Sequence, residues 1–172
     1  KIAYHKLSGE GPGIVFFGGF ASDMSGTKAL AIETFARSSG QAFLRFDYQG
    51  HGRSSGEFRD GTISKWLSDS MAVIIAQTKG PQILVGSSMG GWISLLVALQ
   101  CPDRVAALVG IASAPDFTED LMWNKFDESI KNKLQKDGIC FEPTEYADNP
   151  YVVTLQLIDD GRKHLLLRDK LT

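Results

Sequence analysis

Gly86-Ser87-Ser88-Met89-Gly90 follows directly on the apolar run Gln82-Ile83-Leu84-Val85 and precedes Gly91-Trp92-Ile93-Ser94-Leu95-Leu96-Val97-Ala98-Leu99-Gln100. The order is short buried strand, tight turn, apolar helix. A Gly-x-Ser-x-Gly pentapeptide in that setting forces its central serine into a strained, positive-φ backbone. The small flanking residues let strand and helix approach without clash. The Ser88 hydroxyl is then left exposed at the carboxyl end of the strand, beside the amino end of the helix, where a nucleophile is useful. The bare pattern is common, and its setting carries the weight. A glycine-rich phosphate or dinucleotide turn fits poorly, because no Gly-x-Gly-x-x-Gly and no Gly-Lys-Ser/Thr is present.

The segments on either side repeat the same alternation. Ile14-Val15-Phe16-Phe17 reads as a strand buried on both faces and ends in Gly18-Gly19-Phe20. Gly26 to Arg37 reads as a helix carrying Leu30, Ile32, Phe35 and Ala36, with Gly40 at its end. Ala42 to Phe46 is the next strand, closed by the loop Asp47-Tyr48-Gln49-Gly50-His51-Gly52-Arg53-Ser54. Thr62 to Thr78 is a helix with a broad apolar face, and Val105 to Ile111 is another buried strand. Ile2 to Leu7 alternates like an exposed edge strand, and Gly9 to Gly13 reads as a turn. Strands alternating with helices predict an α/β fold with a doubly wound, mostly parallel sheet. Ligands bind such sheets at the carboxyl ends of the strands. Gly18-Gly19-Phe20, Asp47 onward, Ser88 and Ser113-Ala114-Pro115-Asp116 all fall there.

The alternation stops after residue 115. Asp116 can cap a helix with Glu119 in the reciprocal position. Met122, Trp123, Phe126, Ile130 and Leu134 follow as a stripe at steps of three and four, and Gly138 is a helix stop. Phe141 to Tyr146 and Tyr151 to Ile158 read as short strands, with a turn at Asp159-Asp160-Gly161-Arg162. The sequence therefore predicts core residues 1–115 and a lid over 116–168. Trp123 and Phe126 are candidates for lining a substrate pocket, although plain packing onto the core accounts for the same stripe.

The chain has 172 residues, a formal net charge of −2 and 43 % hydrophobic residues, enough for one well-buried core. No basic patch points to nucleic acid, and no apolar run approaches the ~20 residues of a membrane span. Cys101 and Cys140 make no disulfide framework and read as reduced, mostly core residues. No metal site or cofactor is expected. The oligomeric state is not read from the sequence. A cytoplasmic protein is the simplest expectation. The first residue, Lys1, is compatible with a cleaved transit peptide, which would place the protein in the mitochondrial matrix.

Over essentially its whole length the chain resembles the α/β-hydrolase superfamily. More narrowly, the segment Phe17 to Ala29, with Ser22-Asp23-Met24-Ser25-Gly26-Thr27-Lys28-Ala29, is similar to one branch. That branch holds the mitochondrial palmitoyl-protein thioesterases and acyl-glucuronide esterases, with their bacterial relatives. Asp159 to Leu166 looks like the lid of the same branch. The loop Asp47 to Ser54 is shared widely and discriminates nothing within the superfamily. The resemblance implies hydrolysis of a carboxylic thioester or ester through an acyl-enzyme on Ser88, with a small molecule or an acylated protein as substrate. It also implies an oxyanion hole from the backbone N–H groups of Phe20 and Met89.

The resemblance orders its triad as serine, acid, histidine. Only His164 follows Ser88, and it sits in lid-like sequence. His51 reads as a structural turn residue, His5 as a solvated edge residue, and Asp116 as a helix cap rather than the acid. The expectation is that the triad acid and histidine, with the final strands and helix of the core, are not in this chain. These 172 residues alone are then expected to be inactive. The alternative is a non-catalytic hydrolase-like binding domain that has lost its base.

Overall fold

The computed structural model describes residues 1–144 and 150–168. Five strands form the main sheet: β1 (Tyr4–Leu7), β2 (Glu10–Phe17), β3 (Gln41–Phe46), β4 (Gln82–Ser87) and β5 (Val105–Ile111). Their order is β1-β3-β2-β4-β5, with β1 antiparallel and the others parallel. β5 was expected to be buried, but among the described residues it pairs only with β4 and is largely exposed, Leu108 and Val109 included. Between them run the helices α1 (Thr27–Ser38), α2 (Ile63–Gln77) and α3 (Met89–Gln100).

The continuous apolar run of β2 has a direct cause. Val15 and Phe17 pack with Trp66, Trp92 and Ile93 of α2 and α3, whereas Ile14 and Phe16 pack with Ala29 and Ala36 of α1. Helices on both faces leave no polar side for the strand to show. α1 departs from the expected apolar face, because Leu30 and Phe35 are exposed and Glu33 is buried. Glu33 is tolerated inside because its carboxylate accepts from Arg45 at 2.8 Å and Arg37 at 2.9 Å and meets His5 at 3.1 Å. Burial opposes the charge, and the two arginines outweigh it, so the carboxyl titrates below its usual range. The predicted turn at 9–13 is mostly strand. Glu10 already pairs with Gln41, and the register slips before Ile14.

Among the described residues, those from 116 onward add nothing to the main sheet. A π-helical turn (Thr118–Trp123) leads to α4 (Glu128–Asp137), the two-stranded sheet of β6 (Ile139–Glu142) and β7 (Tyr151–Thr154), and α5 (Leu155–Gly161). The single helix expected from the apolar stripe is two pieces. Asp127 starts the second by accepting from Ile130 N at 2.9 Å. Gly138 ends it at φ +76°. The expected strand to Ile158 stops at Thr154, whose hydroxyl caps α5, so Asp159 to Gly161 is helical rather than a turn. Residues 145 and 146 of the predicted strand Phe141–Tyr146 lie outside the described residues.

This part has a small core of its own. Leu134, Cys140, Val153 and Ile158 are buried together, with Trp123, Phe126 and Ile130 against them. Burial raises the Cys140 thiol to about 11, which keeps it protonated as a core residue.

Candidate active site

Ser88 sits between β4 and α3 with φ +54° and ψ −120°, and it is exposed. Three glycines make that turn possible. A β-carbon on Gly86 would lie 2.6 Å from Gly90 C and Gly91 Cα. One on Gly90 would run into Phe17 O and lie 2.6 Å from Gly18 O, and one on Gly91 would run into Ser113. Strand, helix and the loop after β2 therefore meet at van der Waals distance, as only glycine permits. Ser88 is held from both sides: its N–H donates to Ile111 O at 3.0 Å, and Ala114 N–H donates to its carbonyl at 3.1 Å.

Four non-glycine residues have positive φ among the described residues: Ala21, Ser88, Ala112 and Asp116. All four follow β2, β4 or β5 at the carboxyl edge of the sheet. Backbone strain of this kind persists only where the surrounding structure enforces it, and it concentrates at functional sites.

The loop after β2 approaches Ser88 closely. A β-carbon on Gly19 would lie 3.5 Å from Ser88 Cβ. Neither Phe20 N–H nor Met89 N–H has a hydrogen-bond partner among the described residues. The loop is braced from behind by the segment after β3. Tyr48 Oη donates to Gly18 O at 3.2 Å, and the buried Asp47 carboxylate accepts from Met24 N at 2.7 Å and Arg53 N at 2.8 Å. Burial pushes the Tyr48 phenol upward, so it remains a donor.

Phe20 lies in an aromatic cluster. Its ring is 5.0 Å from Phe58, 6.0 Å from Trp66, 5.6 Å from Phe117 and 5.4 Å from Tyr151. From the 116–168 region the rings of Phe117 and Tyr151 reach Phe20, and the sequence reading did not single them out. Trp123, a pocket candidate, is flanked by Arg162 at 4.7 Å and Lys131 at 5.8 Å in the satellite core, and Phe126 packs in that core with it.

The histidines are engaged elsewhere. His5 meets Glu33. His51 is buried among Tyr48, Phe58 and Trp66, with Nδ1 3.2 Å from Gln49 O and Nε2 unpartnered among the described residues. His164 Nε2 lies 2.7 Å from Ser64 Oγ, which donates to Asp160 at 2.8 Å. Asp116 does not cap with its side chain. Its fully buried carboxylate accepts from Leu166 N at 2.7 Å and Leu167 N at 2.8 Å.

A hollow of about 210 Å³ opens beside Gly19 and Ser87, bordered by Ser22, Asp23 and Lys28. A larger cleft of about 450 Å³ lies at the opposite, amino-terminal ends of the strands, around Gly13, Ala42 and Gln82. It meets none of the strained residues. The smaller hollow is not lined by them either, so we place the candidate site at the Ser88 turn itself, where the strained backbone and the Phe20 and Met89 N–H groups meet beside Gly19.

Residues 12–139 match the alpha/beta hydrolase fold family. The chain belongs to that family. It is 42 % identical over 168 residues to the mitochondrial palmitoyl-protein thioesterase ABHD10 of Homo sapiens, covering 97 % of this chain and 55 % of that protein. Mouse alpha/beta hydrolase domain-containing protein 10 superposes with a TM-score of 0.85 at 37 % identity, covering 96 % of this chain and 66 % of that one. A protein of Agrobacterium vitis S4 that carries a hydrolase designation superposes with a TM-score of 0.91 at 40 % identity, covering 95 % and 66 %. The chain thus spans about half the length of the curated relatives it matches. No helix among the described residues is long and apolar enough to cross a membrane.

Proposed function

We propose that this chain carries the nucleophile of a serine hydrolase that cleaves carboxylic thioesters or esters. The observation that carries the reading is Ser88: exposed, at φ +54°, at the head of a helix. In the proposed reaction Ser88 Oγ attacks the substrate carbonyl as its proton passes to a general base. The N–H groups of Phe20 and Met89 receive the negative charge that develops on the carbonyl oxygen. The C–S or C–O bond then breaks, the leaving group takes the proton, and water releases the acid from Ser88. Each N–H donor is worth about 3 kcal/mol of transition-state stabilisation. Region 116–168 serves as the lid, meeting the site through Phe117 and Tyr151. Relatives named as palmitoyl-protein thioesterases support a thioester, and an acylated protein or a small acyl compound is the proposed substrate. Their mitochondrial designation favours that compartment over the cytoplasmic one.

The test is labelling by a fluorophosphonate and turnover of p-nitrophenyl and thioester substrates by the whole protein. Ser88→Ala should lower turnover on the order of 10⁶-fold with the fold intact. Retained turnover would sink the assignment. A specific observation favours a second reading, a non-catalytic binding domain: all three histidines have contacts away from Ser88. A protein limited to residues 1–172 should therefore label far more slowly than one that also carries the remaining length of its relatives. If both stay unlabelled, the binding-domain reading stands.

A further inference from the structure

We infer that Asp116 is a positioning residue that seats the 116–168 region against Ser88 and so governs which acyl groups the site accepts. This inference rests on the serine hydrolase reading for its substrate part and on geometry for the rest. Asp116 is fully buried, yet among the described residues no cation comes closer than Arg168, at 3.8 Å. Its two carboxylate oxygens instead take consecutive backbone N–H groups, Leu166 at 2.7 Å and Leu167 at 2.8 Å. Charge-assisted bonds of that length are among the stronger hydrogen bonds in proteins. Asp116 enters the region and Leu166 leaves it, so one side chain closes its neck. Its φ of +58° turns the carboxylate toward the exit, a conformation aspartate adopts more readily than most residues.

The neck is continuous with the Ser88 turn. Ala114, two residues before Asp116, donates to Ser88 O at 3.1 Å, and Trp92 on α3 donates through Nε1 to His164 O at 3.1 Å. Two outer clasps repeat the closure. Arg168 binds Asp120 at 2.6 and 3.1 Å, and Arg162 binds Glu119 at 2.8 Å. Both clasps are partly exposed and are worth little alone. The buried Asp116 contact sets the geometry. Phe117 follows it immediately and packs on Phe20 and on Trp92. A shift at Asp116 therefore moves an aromatic wall of the candidate acyl site.

The experiment compares Asp116→Asn and Asp116→Gly with wild type in the full-length protein. Asparagine tolerates the backbone but keeps only one acceptor, and glycine removes the carboxylate without strain. Amide exchange at Leu166 and Leu167 should accelerate at least about tenfold in both variants. The kcat/KM for a long-chain acyl thioester should fall about tenfold, mainly through KM, with acetyl-ester kcat nearly unchanged. Glycine should have the larger effect. Unchanged exchange at 166–167 would overturn the neck. Equal losses on long and short substrates, measured well below the melting temperature, would reduce Asp116 to a stability role. Loss of acetyl-ester turnover together with fluorophosphonate labelling would make it part of the proton machinery and also overturn the inference. If Ser88→Ala leaves turnover intact, the hydrolase reading falls while the exchange result still judges the neck.

Discussion

The turn at Ser88 and the neck at Asp116 are neighbours, both carry positive φ, and they are held by opposite means. At Ser88 the strain is enforced by close approach. Gly86, Gly90 and Gly91 bring strand, helix and the loop after β2 so near that no β-carbon fits. At Asp116 the strain is enforced by polar contacts to residues about fifty positions away in the chain. A sterically locked turn has no second arrangement nearby. A hydrogen-bonded neck can open and reclose at a cost of a few bonds. The proposed hydrolase reading asks for both: a nucleophile that stays fixed and a cover that admits substrate.

The largest effect should therefore come from adding one methyl group to the turn. In Gly90→Ala the new β-carbon meets the backbone carbonyls of Phe17 and Gly18, which cannot rotate away as a side-chain tip could. The variant should lose on the order of 4 kcal/mol by urea titration. Its Ser88 should also label poorly, since the loop bearing Phe20 must move. If Gly90→Ala costs less than Asp116→Gly, the contrast between steric and polar enforcement is wrong.

Next in size is the polar side. Asp160 on α5 accepts from Ser64 N at 2.7 Å and Ser64 Oγ at 2.8 Å, capping α2 from outside the helix. Burial works against its charge, but the Ser64 bonds prevail and hold the carboxyl below its ordinary 3.8. Asp160→Ala should cost about 1–2 kcal/mol, the value of a helix cap. A depressed carboxyl stabilises above its unfolded pKa. The wild-type advantage should be full above pH 3.8 and fade as pH falls further. An advantage that instead grew in acid would show that the contact is not charge-assisted.

The same contrast explains what could be read from the sequence. The strands between residues 14 and 87 were legible because burial on two faces writes itself as unbroken apolar runs, and the Ser88 turn because its glycines are adjacent; β5 shows the limit of that reading, since its equally apolar run is largely exposed. The 116–168 region was legible only as a break in the pattern. Asp160 finds Ser64 at a separation of 96 residues. Phe117 and Tyr151 reach Phe20 only through the folded path of the chain. Trp123 and Phe126 matched a helical stripe; they pack in a local core, and a separate helix starts after them at Asp127. Local spacing cannot report such contacts. Tyr151→Ala should accordingly change the ratio of long-chain to acetyl turnover by several-fold, and Trp123→Ala should change it less. The reverse order would restore the stripe as the pocket wall.

The smallest expected effect lies behind the loop, at His51. Its ring fills an aromatic cage of Tyr48, Phe58 and Trp66, and its Nε2 has no partner among the described residues. Burial disfavours the protonated ring and holds its pKa below the ordinary 6.5, although the Gln49 carbonyl and the Asp47 charge oppose this. Below pH 6.5 the unfolded chain takes up a proton that the folded ring refuses, so stability falls as pH drops toward the folded pKa. Above pH 6.5 both states hold the neutral ring and the term vanishes. His51→Phe keeps the shape, removes the unpartnered nitrogen and gives up one hydrogen bond to Gln49 O. At pH 8 it should lie within about 1 kcal/mol of wild type. Between pH 6.5 and 5 its urea midpoint should fall less than that of wild type. Asp160 and Glu33 lose their contribution only below 3.8 and 4.5, so they do not intrude on that window. Parallel curves from pH 8 to 5 would mean that His51 is protonated inside the cage, and that the segment behind the loop is held by charge, as the neck is.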